Sequence, residues 1–323
     1  MGFFSKKKTI SAGLVLDAEG FRYLSLEGGD GFYNVVDSVS GSVPPVSGAS
    51  DDPFSDSGAY LDPVFDHIAQ TVRGFNVAVN FALPVTESLL RIVNLPGMTL
   101  AEARMAFRYE FENYFPFPEK EGGYDIAEIE YPVREDLSEK RFLVAAARRS
   151  LLDNISRAAS AHGIKIASIE PSQIALERAA NPPRPIDAGC AYVYAGNQRS
   201  VLILSWNGCG IFYRNISFGF GADIISGGFE SEEYRGHGIS FAREIRSSLQ
   251  FAMSQNRAFR ADSVYLFGPG ASPHLCGLLK ESTSLESVML IDPMKVHGID
   301  FDSKGGWNVA LGLALRCRHG RKA

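Results

Sequence analysis

The 323-residue chain carries 32 Lys and Arg against 37 Asp and Glu, a formal net charge of −5, and 45% of its residues are hydrophobic. Such a length suits about two domains with a core in each, and so small a net charge excludes charge-driven nucleic-acid binding or a polyanionic surface. Four scattered cysteines (Cys190, Cys209, Cys276, Cys317) form no CxxC pair, which points to reduced thiols in the cytoplasm and away from a disulfide framework or zinc site.

No apolar run approaches the ~18 residues that a membrane helix needs, so no transmembrane span is expected. The start, MGFFSKKK, puts Phe3 and Phe4 ahead of Lys6, Lys7 and Lys8, the reverse of a signal peptide. Residues Leu14 to Leu26 and Gly31 to Asp37 read as strands of a hairpin-rich beginning. From Ser38 to Gly58, Ser, Gly, Pro and Asp dominate, the composition of a flexible loop. A helix from about Leu61 to Val72 and strands near Asn76 to Leu83 and Ser88 to Asn94 follow.

Thr99 and Glu102 form a capping box ahead of apolar residues at helical spacing: Leu100, Ala103, Phe107, Phe111, Tyr114 and Phe115. Pro116 and Pro118 then stop that helix. Strands near Tyr124 to Pro132 and Lys140 to Ala146 lead to a helix from Arg148 to His162, which Gly163 ends. Residues 84–163 therefore read as an inserted strand–helix–strand–strand–helix unit.

The stretch Asn181 to Pro185 reads as a linker. Beyond it come strands around a turn at Ala195 to Gln198, a strand from Gly210 to Ser217, and glycines crowded between Gly219 and Gly228. A helix from Ser240 to Met253 buries Phe241, Ile245, Leu249 and Ala252. A strand at Ser263 to Phe267 with a Gly268–Ala271 turn follows, and a helix from Trp307 to Arg316 precedes a basic end, RCRHGRKA. That end reads as a solvated tail, with attraction to anionic lipid, ~1 kcal/mol per basic residue, as the alternative. Strand hairpins followed by helices recur in both halves and predict a duplicated α/β architecture.

Six histidines (His67, His162, His237, His274, His297, His319) stand far apart, without the spacing of a metal site. The glycines at 219, 221, 227 and 228 are not followed by GKS or GKT, so they make no phosphate loop. No catalytic residue and no metal ligand is assigned.

Taken together, LRIVNLPGMTLAEARMAFRYEFENYFPFP (Leu90–Pro118), AAAR (Ala145–Arg148), ALERA (Ala175–Ala179) and EIRSSLQF (Glu244–Phe251) give the chain a resemblance to the type IV pilus assembly protein PilM family. The resemblance covers nearly the whole chain. It implies an actin-like ATPase (ribonuclease H-like) duplicated fold, two domains around a cleft, with an inserted subdomain in place of the FtsA-type one. Residues 1–83 and 164–180 would form the first domain, with 38–58 as its loop, 84–163 the insert, 186–306 the second domain with a reduced cover, and 307–323 the terminal helix and tail. It also implies a protein peripheral to the inner membrane, bound to the N-terminal tail of a PilN-like membrane protein and to other pilus platform proteins, with ATP in the cleft.

An actin-like nucleotide site needs two Gly/Ser/Thr turns presenting N–H groups to phosphate, an Asp beside each for Mg²⁺, and a Gly-rich turn at the adenosine. Where the family reads roughly DIGSSSVK, this chain has VLDAEGFR, with Val15 at the carboxylate position and Asp17 and Glu19 facing the phosphate. Where the family reads DIGASTTS, Tyr194 takes the second carboxylate position. The residual positions are Gly196 and the turn Gly268, Gly270 and Ala271. The span from Gly219 to Glu244 is short for a nucleotide-covering subdomain. The expectation is a non-catalytic scaffold with no cofactor, whose partner groove between first domain and insert is bordered by Arg91, Phe115 and Phe117. The alternative is an active ATPase in which Asp17 holds Mg²⁺ and Arg199 holds phosphate. A sugar or metabolite kinase of the same fold is more distant, since no substrate base stands out.

Overall fold

The computed structural model describes residues 9–29, 32–43, 53–72, 74–132, 139–184, 186, 189–255, 258–285, 287–302 and 306–316. The MGFFSKKK start, residues 44–52 of the expected loop and the basic stretch 317–323 lie outside the described residues. In chain order the elements are β1 (Thr9–Asp17), β2 (Gly20–Gly29), β3 (Phe32–Gly41), α1 (Ser55–Gly58), α2 (Leu61–Thr71), β4 (Val79–Leu83), β5 (Leu89–Pro96) and α3 (Leu100–Tyr114). Next are β6 (Gly122–Ile129), β7 (Glu139–Arg148), α4 (Arg149–Ala161), β8 (Ile166–Pro171) and α5 (Ser172–Ala180). The remainder holds β9 (Gly189–Tyr194), β10 (Ser200–Trp206), β11 (Cys209–Ile216), α6 (Ala222–Ser226), α7 (Glu232–Gln255), β12 (Ser263–Phe267), α8 (Pro273–Thr283), β13 (Ser287–Leu290), α9 (Pro293–Val296) and α10 (Asn308–Ala314).

The duplication is literal in the strand orders, β3-β2-β1-β4-β8 in the first sheet and β11-β10-β9-β12-β13 in the second. Each sheet is an antiparallel three-strand meander extended by two parallel strands, since β1–β4, β4–β8, β9–β12 and β12–β13 all run parallel. Parallel neighbours need crossover connections, and these are the helices that cover the sheets.

Helix α5 sits between the halves. Its Ala175 and Ala179 join the core around Val15, Leu24 and Leu311 under the first sheet. Leu176 and Ala180, one position on, join the core around Tyr192, Ile203 and Phe267 under the second. The ALERA run thus has small residues where α10 presses closest. A side chain at Gly312 of α10 would run into the Ala175 carbonyl, and one at Gly13 would come within 2.5 Å of the Ala310 carbonyl oxygen. Its charged pair is equally tied. Glu177 accepts from the Gly210 N–H at 2.6 Å and from the Tyr213 hydroxyl, while Arg178 binds Glu170 at 2.6 Å and the Gly312 carbonyl at 2.8 Å.

The third sheet, β5-β7-β6, carries α3 on one face. The expected capping box is present: Thr99 Oγ1 accepts from Glu102 N at 3.3 Å and Glu102 Oε2 accepts from Thr99 N at 2.8 Å. Gly163 ends α4 at φ +74 with its N–H on the Ser160 carbonyl, as its sequence position predicts.

Three boundaries differ from the sequence reading. Helix α4, expected within an 84–163 insert, buries Leu151, Ile155, Ala158 and Ala159 against Leu61, Val64 and Phe65 in the first domain's core, so the separate sheet ends with β7. The 38–58 loop is ordered at both described ends: β3 continues to Gly41, and Phe54 is buried ahead of α1. Terminal helix α10 is no appendage, because Ala310, Leu311, Leu313 and Ala314 complete the first sheet's second face.

Candidate functional site

Between the two sheets lies a cleft of ≈ 300 Å³. The β1–β2 turn lines it with Asp17, Ala18 and Glu19, and the β9–β10 turn lines it with Asn197, Gln198 and Arg199. Its floor is apolar, from Val15, Ala82, Val85, Leu176 and Val201.

On the first turn the charges answer one another. Asp17 Oδ1 accepts from the Glu19 N–H at 2.9 Å, and Arg22 reaches Asp17 Oδ2 at 3.2 Å and Glu19 Oε2 at 3.3 Å. Burial raises the Asp17 carboxyl above its ordinary range, against the pull of the Arg22 guanidinium and with a further push from the Glu19 charge. A group raised in this way resists holding the charge that a hard cation needs. Across the cleft, Asn197 Nδ2 donates to Glu19 Oε2 at 3.0 Å.

The second turn ties its first two N–H groups and three of its carbonyls into the protein. The Ala195 N–H donates to the Phe267 carbonyl at 2.8 Å and the Gly196 N–H to Ser200 Oγ at 3.3 Å. The carbonyls of Ala195, Gly196 and Asn197 accept from Gly270, Phe220 and Gly221 at 2.9, 2.8 and 2.8 Å. Anion cradles depend on N–H groups left free to point at the ligand. Tyr194, at the second carboxylate position, packs its ring 5.5 Å from that of Phe267. Burial, and then the nearby Asp17 charge, push its phenol up, so it stays neutral and offers no anionic ligand at neutral pH.

Gly196, Gly268, Gly270 and Ala271 come together where β9 and β12 end, and they face protein. Gly268 at φ +106 lies against the Tyr194 ring, and a side chain at Gly270 would fall 2.5 Å from the Phe220 ring. Phe220 is 0% exposed, tilted against Tyr234 and edge-on to His237 and Phe241. The Tyr234 hydroxyl donates to the Gly270 carbonyl at 2.7 Å, and His237 Nε2 bonds the Gly219 carbonyl at 2.6 Å. Mg-ATP, which the fold implies, is therefore poorly matched here: one expected carboxylate is a phenol, another position is valine, two N–H groups of the second turn are taken, and an aromatic ring fills the side of the Gly-rich turn. Asp17 and Arg199 do line the same cleft. Among the described residues no cluster of three or more His, Cys, Asp or Glu is placed to hold a metal, and no helix is long and apolar enough to cross a membrane.

The three expected partner residues are not brought together as a surface. Arg91 is exposed on β5, its guanidinium donating to the Leu90 carbonyl at 2.9 Å. Phe115 and Phe117 are only 4% and 8% exposed, inside the core formed by Phe107, Phe111 and Tyr124 against the third sheet, with Arg148 5.2 Å above the Phe117 ring. This corrects their assignment as surface anchors: the FPFP turn folds its aromatics back onto α3. The sequence reading gives Glu19 only as a charge facing phosphate and passes over Asn197 and Phe220; the Glu19–Asn197 bond spans 178 positions and the Phe220–Gly270 contact 50. No local pattern marks such pairs.

No family model matches the sequence, and no curated protein matches it. Among solved structures, a chain of the PilM-PilN type IV pilus biogenesis complex superposes with a TM-score of 0.72 at 23% identity, covering 95% of this chain and 98% of that one. A protein from Bacteroides thetaiotaomicron with actin-like ATPase fold and unknown function gives 0.50 at 12% identity, covering 92% and 98%. The cytoplasmic domain of EpsL, an inner membrane component of the type II secretion system of Vibrio cholerae, gives 0.47 at 11% identity, covering 90% and 93%. The chain has the actin-like ATPase fold.

Proposed function

We propose that the chain is a non-catalytic scaffold of a type IV pilus or type II secretion assembly platform, held at the inner membrane by binding the N-terminal tail of a PilN-like protein. The observation that carries this reading is the likeness to a chain of the PilM-PilN complex over almost the full length of both. A fold alone does not assign a function, so the cleft supplies the second support. There the Ala195 and Gly196 N–H groups are taken by the protein, burial raises the Asp17 carboxyl, and a neutral phenol, Tyr194, stands at an expected carboxylate position.

The partner surface proposed is the groove between the first domain and the third sheet. Outer strand β5 borders it with the exposed Arg91, and an extended tail can add there by main-chain pairing. Asp125, Glu128 and Glu121 sit with partners of their own on the opposite margin, on or beside β6.

The test is a calorimetric titration of the full chain with a synthetic PilN-type N-terminal peptide, for the native chain and for Arg91→Glu. Saturable binding that the variant weakens at least tenfold supports the reading. Binding that Arg91→Glu leaves unchanged moves the groove elsewhere, and no binding removes the PilN-like partner. The alternative, an ATPase using Asp17 for Mg²⁺ and Arg199 for phosphate, predicts phosphate release that Asp17→Asn abolishes.

A further inference from the structure

Bound nucleotide in a two-domain cleft touches both phosphate turns and so cross-links the halves. Here the two turns are already joined by the protein itself. Glu19, on the β1–β2 turn, receives the Asn197 amide from the β9–β10 turn, and these two residues are 178 positions apart in sequence. Each partner is held from behind. Glu19 is fixed by its own N–H on Asp17 and by Arg22 on its carboxylate, and Asn197 by the Gly221 N–H on its carbonyl. Gly221 follows Phe220, whose ring lies over Gly270, so the contact continues into the turn after β12.

The other amide atom of Asn197 sharpens the case. Its Oδ1 is buried without a hydrogen-bond partner, a costly state for an acceptor. A rotated amide would set an oxygen against the Glu19 carboxylate, which is worse. The amide orientation is therefore dictated by the bond to Glu19.

We propose that Glu19 and Asn197, with Arg22 as counter-ion, form a standing latch that fixes the two halves in one relative orientation without nucleotide. The latch takes the bridging place of phosphate, and the 217–221 segment couples it to α7 through His237. The inference rests on the cleft alone, and holds whichever partner the chain binds.

The test uses the full chain with Cys276 and Cys317 changed to Ser and nitroxide labels at two exposed helix positions, Gln70→Cys on α2 and Lys280→Cys on α8. Electron–electron resonance then reads the distance between the halves, with no partner or nucleotide present. The expected result is one narrow distance population. Glu19→Ala and Asn197→Ala should each broaden it toward longer distances, and the double variant should be no broader than either single. Gln198→Ala, which lines the same cleft outside the latch, should leave the population narrow. Since Glu19 and Asn197 lie at the surface of the cleft, circular dichroism of each variant should match the native chain. Unchanged width in both single variants, additive broadening in the double variant, or equal broadening by Gln198→Ala would each overturn the latch.

Discussion

At Gly312 a single atom decides whether α10 fits against α5, and at Tyr213 whether α5 is tied to β11. A methyl group at 312 meets the Ala175 carbonyl of the central helix, and backbone on both sides leaves little room to yield. Gly312→Ala should cost about 3 kcal/mol, read as a lower denaturant midpoint. Tyr213 donates to Glu177, a carboxylate 8% exposed that links α5 to β11. Tyr213→Phe keeps the ring and removes the donor, and should cost about 1–3 kcal/mol for the acceptor left behind, whereas Phe212→Tyr on the same strand should not mimic the loss. Of the site, the sequence makes legible what is missing: valine and tyrosine at the expected carboxylate positions. What replaces it, the Asn197–Glu19 bond and the Phe220 ring on Gly270, depends on residues joined only by the fold.

At the scale of elements, local chemistry was readable and allegiance was not. The capping box, the FPFP stop and Gly163 each act within a few residues, so their positions in the sequence suffice. Helix α4 was misplaced because an amphipathic stripe records that a face is buried and says nothing about which sheet buries it. Helix α8 carried a readable start, Ser272 accepting from the Leu275 N–H with Pro273 at the first turn, which the Gly-Pro-Gly turn beside it obscured. The third sheet and α3 share a core built on Phe107 and Phe111, both 0% exposed. Phe107→Ala should therefore cost about 3–5 kcal/mol, with amide exchange quickening first in α3 and β5–β7 while β9–β12 stay protected. Phe117→Asp should likewise disrupt that core, and so cannot report on partner binding alone.

For the whole molecule, burial of acidic side chains sets the response to alkali. Burial pushes the Cys190 thiol up to about 11 and the Tyr234 phenol up to about 12, and raises Tyr192, Tyr194 and Tyr213 as well. These groups keep their protons in the native chain at a pH where the unfolded chain has released them. Their contribution is thus complete below about pH 9 and is lost as pH rises through their native values. The denaturant midpoint should hold level from pH 7 to 8.5 and fall steadily above 9, and Cys190 should react with thiol reagents only as the chain unfolds.

The duplicated strand order, the wedge of α5 between the sheets and the latch across the cleft describe an actin-like frame fixed by its own side chains. Thermal unfolding with and without millimolar Mg-ATP tests that claim most directly. A ligand at 100 times its dissociation constant stabilises by ~2.7 kcal/mol, so nucleotide binding of ordinary strength would be plain in the melting curve. Superimposable curves with and without Mg-ATP are expected, beside an upward shift with a PilN-type peptide. A rise of several degrees with Mg-ATP alone would contradict that claim.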